Sequence, residues 1–149
     1  MKKEKEVVIL VGVPGCGKTH YCRTALPDHV RLSQDEGPHH FESMLARCRQ
    51  LLEAGAERIV IDRTNPMAGQ RAQFIAAARQ HGHRTKIIHF DVPRQLCEQR
   101  IRDRTGHPTL GAKSMDQAID RYLAMLNAPR EEEGDELVVL HAGPEDQTQ

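Results

Sequence analysis

The stretch Val7-Val8-Ile9-Leu10-Val11-Gly12-Val13-Pro14-Gly15-Cys16-Gly17-Lys18-Thr19 decides the fold. Its first five residues form a continuous apolar run rich in β-branched side chains, the pattern of a short strand covered on both faces. The next eight match G-x-x-x-x-G-K-[ST], the phosphate-binding loop pattern, which is meaningful between a strand and a helix. Glycines at 12, 15 and 17 let main-chain N–H groups converge on an anion with no Cβ in the way. The helix expected to follow adds its positive end. Gly12, Val13, Pro14, Gly15, Cys16, Gly17, Lys18 and Thr19 are therefore the expected nucleotide-binding set. Lys18 is expected to bridge the β- and γ-phosphates of ATP or GTP, and the Thr19 hydroxyl to help hold Mg²⁺.

Outward from this loop, strand-like and helix-like segments alternate. Val30-Arg31-Leu32, Arg58 to Asp62, Thr85 to Phe90 and Leu137 to Leu140 read as further strands. Between them, helices are expected from Lys18 to about Leu26 and along Phe41 to Leu52. A third should start with Pro66 in its first turn and run to about His81. A fourth should open at Pro93, and a fifth at a Ser114 cap. Alternation of this kind predicts an α/β fold: three layers, α/β/α, around a central parallel sheet of about five strands. Right-handed crossovers put the C-terminal end of every strand on one edge, where ligands bind. Residues just after each strand are the informative ones.

Asp35 follows the second strand. There it can accept the proton of an attacking hydroxyl, or it can cap the next helix. Asp62 ends the third strand, at the position of a Walker-B acid that holds Mg²⁺ through water. Thr64 and Asn65 follow as possible phosphate donors, or as a turn that starts the next helix. The fourth helix carries Arg100, Arg102 and Arg104 ahead of a Gly- and Pro-containing loop, Thr105 to Pro108. Arg100 and Arg104 share one face, and Arg102 points elsewhere. These arginines fit either a lid over the transferring phosphoryl group or a solvated basic face paired with Glu98 and Asp103.

Composition narrows the classes. The 149 residues suffice for one domain, residues 1–149, with a polar tail from about Gly143 expected to fray. No apolar run approaches the ~20 residues needed to cross a bilayer, and the charged N-terminus has no signal-peptide pattern, so a cytoplasmic location is expected. Lys plus Arg and Asp plus Glu both number 21, which argues against a strongly basic, non-specific nucleic-acid binder. The cysteines Cys16, Cys22, Cys48 and Cys97 form no C-x-x-C pair and are expected to be reduced. The nine histidines show no metal-ligand spacing. Aromatic residues make up 3% of the chain, which leaves few rings for stacking single-stranded bases. Arg63, Arg71 and the histidines around His39 are the expected contacts to substrate phosphates.

Together, Gly12 to Thr19, the Asp35 segment, Val60-Ile61-Asp62-Arg63-Thr64-Asn65-Pro66 with Gln70-Arg71-Ala72, and the arginine-rich fourth helix resemble the 5′-kinase domain of polynucleotide kinase-phosphatases. The resemblance runs from about Val7 to Leu140. It implies a P-loop kinase fold and ATP-dependent phosphorylation of 5′-hydroxyl ends of DNA or RNA. By that likeness Asp35 is the general base, Lys18 and Thr19 hold phosphate and Mg²⁺, and Arg104 is the lid arginine supported by Arg100 or Arg102. Thr64 is the substrate-phosphate contact. Departures are Gln34, Arg63 and Pro38, which stand where the family has arginine, a short polar or acidic residue and, in some members, arginine. The phosphatase signature is absent. The alternative reading is a kinase of the same architecture acting on a sugar, nucleoside or antibiotic hydroxyl.

Overall fold

A computed structural model describes residues 4–33, 41–105 and 112–141. The expected tail from Gly143 lies outside them. Strands and helices alternate as β1 (Glu6–Val11), α1 (Lys18–Ala25), β2 (Val30–Ser33), α2 (Phe41–Glu53), β3 (Arg58–Asp62), α3 (Ala68–Gln80), β4 (Arg84–Phe90), α4 (Arg94–Thr105), α5 (Ala112–Met125) and β5 (Glu136–Leu140). The five strands make one sheet in the order β2-β3-β1-β4-β5, and every pairing is parallel.

The apolar runs explain the order. Val7 to Val11 are fully buried in β1, as are Ile59 to Ile61 in β3, so these strands take the middle and both of their faces are covered. β2 and β5, with exposed and half-buried positions, take the edges. The β1-to-β2 crossover runs opposite to the β2-to-β3 and β3-to-β4 crossovers. Right-handedness therefore puts α1 on one face of the sheet and α2 with α3, which pack on each other, on the other. α4 and α5 pack together, and Arg94 of α4, which also donates to Glu98 of its own helix at 2.8 Å, ties them by donating to Asp120 of α5 at 2.5 Å.

Two helix starts differ from the sequence reading. α3 begins at Ala68, two residues after Pro66. The residue before the proline, Asn65, has φ 47°, so the chain turns through the left-handed region before it enters the helix. The Asn127 side chain, from beyond α5, accepts the Ala68 N–H at 3.0 Å and supplies the cap that Met67 cannot. α5 begins at Ala112, so Ser114 lies inside the helix and does not cap it. No helix among the described residues is long and apolar enough to cross a membrane.

Candidate active site

β1 delivers the chain to the C-terminal edge of the sheet, and the phosphate loop turns there. Gly15 and Gly17 have φ 84° and 103°, conformations that side-chain-bearing residues rarely adopt. Gly12 is needed for a different reason. A Cβ at this position would lie 2.6 Å from Cys16 Sγ and 2.9 Å from Phe90 Cβ. Gly17 is also the residue before α1. That helix has no side-chain cap and no acidic residue in its first turn, so its N-terminal N–H groups remain available to an anion.

Lys18 is buried beneath the loop. Its ammonium donates to the carbonyls of Gly12 at 2.9 Å and Val13 at 2.8 Å, and lies 3.6 Å from Cys16 Sγ. Thr19 Oγ1 donates to Asp62 Oδ2 at 3.1 Å. A hydroxyl and a carboxylate thus meet at the base of a cleft of about 830 Å³. Hard oxygen donors in this pairing fit Mg²⁺, which takes one or two protein ligands and leaves its other positions to phosphate oxygens and water. Among the described residues no three His, Cys, Asp or Glu side chains gather to hold a metal by themselves. A phosphate-assisted site is the kind of metal centre this donor set suits.

The same cleft is lined by Arg63, Thr64 and, from α4, Arg100 and Asp103. Arg100 Nη1 donates to the Cys16 carbonyl at 2.9 Å, which fixes α4 against the phosphate loop. Arg63 lies over the Phe41 ring at 5.4 Å and donates to Gln70 Oε1 at 3.2 Å. Burial pushes its guanidinium below the usual value, but arginine remains cationic. Lys18, Arg63 and Arg100 therefore face the space between them with more positive charge than Asp62 and Asp103 offset, as a polyphosphate site requires.

Several expectations require correction. Asn65 is fully buried, and its amide donates to the Leu10 carbonyl at 2.7 Å, so it joins β1 to the segment after β3 and does not face the cleft. Arg71 is also fully buried. It donates to both oxygens of Glu133, to the Asn65 carbonyl and to the Asn127 carbonyl, so it braces the site from behind and has no reach to substrate phosphate. Arg102 is exposed, donates to Gln99 Oε1, and does not line the cleft. Glu98 pairs with Arg94 at 2.8 Å. Asp35, Gln34, Pro38 and His39 lie outside the described residues, as do Gly106 to Pro108 and the side chain of Arg104. The four cysteines are free and buried.

One charged group was not anticipated. Arg31, in β2, donates through Nε to Asp62 Oδ2 at 2.7 Å, and through Nη2 to Thr19 Oγ1 at 3.3 Å and Ser33 Oγ at 3.2 Å. The signal was available in the strand itself. Arg31 and Ser33 alternate onto one face, and Ser33 is in register with Asp62.

Residues 7–129 match the model of the AAA domain family AAA_33. The chain belongs to this family. As an AAA domain it is 28% identical over 142 residues to Transcription factor bHLH140 of Arabidopsis thaliana, a match that takes in 89% of this chain and 15% of that protein's length. Among solved structures, this AAA domain superposes on a gluconokinase from Sinorhizobium meliloti with a TM-score of 0.69, at 17% identity, over 98% of this chain and 88% of that one. It superposes on the APS kinase CysC of Mycobacterium tuberculosis with a TM-score of 0.58, at 19% identity, over 93% and 90% of the two chains. The fold of this AAA domain is that of P-loop kinases.

Proposed function

We propose that the protein is an ATP-dependent kinase that phosphorylates the 5′-hydroxyl ends of DNA or RNA. The observation that carries the phosphotransferase reading is the convergence of Lys18, Thr19 and Asp62 at one cleft, with Arg100 holding α4 over the loop. In this reading the triphosphate lies along the loop N–H groups, and Lys18 exchanges the Gly12 and Val13 carbonyls for phosphate oxygens. Thr19 and Asp62 would hold Mg²⁺, which would supply positive charge against the phosphates. Asp35 follows Ser33, which lines the cleft, by two residues in the sequence. It takes the proton of the incoming hydroxyl as the O–P bond to the γ-phosphorus forms and the bond to the β-γ bridging oxygen breaks, leaving ADP.

The 5′-end reading is supported by the resemblance of the Val60 to Pro66 string and by the side of the cleft that string forms. Thr64 and the Arg63 guanidinium stand there as donors for the phosphodiester next to a 5′-hydroxyl. A second reading, phosphorylation of a sugar, nucleoside or antibiotic hydroxyl, is favoured by the lack of any Phe, Tyr or Trp among the cleft-lining residues described, which leaves the His20 imidazole to stack on a base.

Labelled ATP presented with 5′-hydroxyl oligonucleotides and, separately, with sugar acids and nucleosides tests both. Label on the oligonucleotide, lost in Lys18→Ala and Asp35→Asn, is the expected result. Label on small alcohols only would replace the first reading with the second, and near-full activity in Asp35→Asn would remove the general-base role.

A further inference from the structure

The two groups suited to the metal are already engaged by one guanidinium. Arg31 Nε takes the same oxygen of Asp62, Oδ2, that accepts the Thr19 hydroxyl proton, and Arg31 Nη2 donates to that hydroxyl's oxygen. The contact is well shielded: side-chain exposure is 17% for Arg31 and 4% for Asp62. Ser33 Oγ accepts a further bond from Nη2 and fixes the plane of the group.

We propose that Arg31 and Mg²⁺ are rival occupants of the Thr19–Asp62 pair, so that the metal enters with the nucleotide only by displacing this arginine. The argument rests on geometry and charge. Mg²⁺ demands near-ideal octahedral coordination at about 2.0–2.1 Å and loses hydration water reluctantly. Nε and Nη2 of Arg31 occupy one side of Asp62 Oδ2 and Thr19 Oγ1, the two oxygens that a metal or its bound water would also use. A doubly charged ion and a guanidinium on one carboxylate oxygen also repel each other, and burial leaves little solvent to screen them. Mg²⁺ binding therefore includes the loss of a shielded ion pair. The site couples nucleotide and metal less strongly than the same loop with a neutral residue at 31 would. When the metal is scarce, Arg31 supplies a protein-borne positive charge in its place.

This inference rests on the reading of Thr19 and Asp62 as the metal site, not on the identity of the acceptor. The test is a binding measurement. ADP is titrated into the full chain by calorimetry, once with EDTA and once with excess MgCl₂, and the ratio of the two dissociation constants is the metal coupling. Arg31→Gln should raise that ratio by about tenfold or more over the unsubstituted protein. Arg31→Lys, which keeps a charge but loses the fork, should fall between the two, and it carries the test if the glutamine variant does not fold. A merely structural Arg31 would lower the melting temperature and leave the ratio where it was. A ratio within about twofold of the original in a folded variant, or a smaller one, overturns the rivalry. If the original protein responds to Mg²⁺, only the rivalry falls; if no form of the protein responds, the metal reading falls with it. Paramagnetic Mn²⁺ titrated without nucleotide gives an independent readout, and Arg31→Gln should bind it more tightly.

Discussion

The guanidinium of Arg71, with no exposure to solvent, donates to both carboxylate oxygens of Glu133, at 2.9 and 3.0 Å. Its remaining reach goes to the carbonyls of Asn65 and Asn127. One buried cation thereby joins three stretches: the turn after β3, the first turns of α3, and the segment between α5 and β5. Removing its counter-charge leaves a buried positive group with carbonyl partners only.

Glu133→Ala should therefore destabilise the protein by about 3 kcal/mol, because a buried pair is broken from one side. For a chain of this length that is a fall in Tm on the order of 10 °C. Thermal unfolding followed by far-UV circular dichroism measures it. A loss below about 0.5 kcal/mol would mean that the carbonyls alone satisfy Arg71.

The same pair predicts an acid response. Burial alone would raise the Glu133 carboxyl, but hydrogen bonds from Arg71 and from the Arg130 backbone N–H, with both arginine charges, outweigh it and hold the group below 4.5. The hydrogen bond from His29 holds Glu6 below 4.5, and the Thr85 backbone N–H holds Asp135 below 3.8. Each is a depressed carboxyl, so the unfolded chain takes up protons first. The stability these groups contribute is complete above their ordinary values and is lost as pH falls through the lower folded ones. Urea midpoints should be flat in these terms near neutrality and fall below about pH 4.5, with a shallower fall in Glu133→Gln.

Gly12→Ala should abolish nucleotide binding and destabilise the loop. The new methyl meets both Cys16 Sγ and Phe90 Cβ. Gly12→Ala/Cys16→Ala removes only the first contact, so the double substitution should not restore ADP binding in a calorimetric titration. Recovery in the double variant would place the whole conflict at the sulfur.

The thiols should be slow to react. Burial pushes Cys22 up to about 12, and Cys48 and Cys97 to about 11, while Cys16 is fully buried. An aromatic disulfide reagent in mildly alkaline buffer should label the folded protein with a slow phase only, and all four cysteines at once in guanidinium chloride. Rapid labelling of a native thiol would contradict the packing around α1, α2 or α4.

Much of the architecture was legible in the chain because central strands of a parallel sheet are written as unbroken apolar runs. Val7 to Val11 and Arg58 to Asp62 show this, and their bounds differ from the observed strands by at most a residue. The phosphate loop was legible for a similar reason: its function requires glycine at fixed places. What sequence could not separate was donors that face a ligand from donors that face the protein. Asn65 and Arg71 are polar, lie in the most distinctive string and still point inward, because the turn at φ 47° and the buried carbonyls of Leu10 and Asn127 need partners. Conversely, Arg31 sits in what reads as an unremarkable strand. Its role depends on which strand lies beside it, and that depends on β3 being inserted between β2 and β1.

The Asn65 amide, reaching back to the end of β1, has a consequence for anyone wishing to change what the protein acts on. The stretch proposed to border the acceptor is stitched to the strand that launches the phosphate loop. Grafting a foreign sequence over residues 62–71 would thus disturb donor and acceptor grip together. Redesign has more freedom at Phe41, which stands outside that stretch and meets it through its ring against the Arg63 guanidinium.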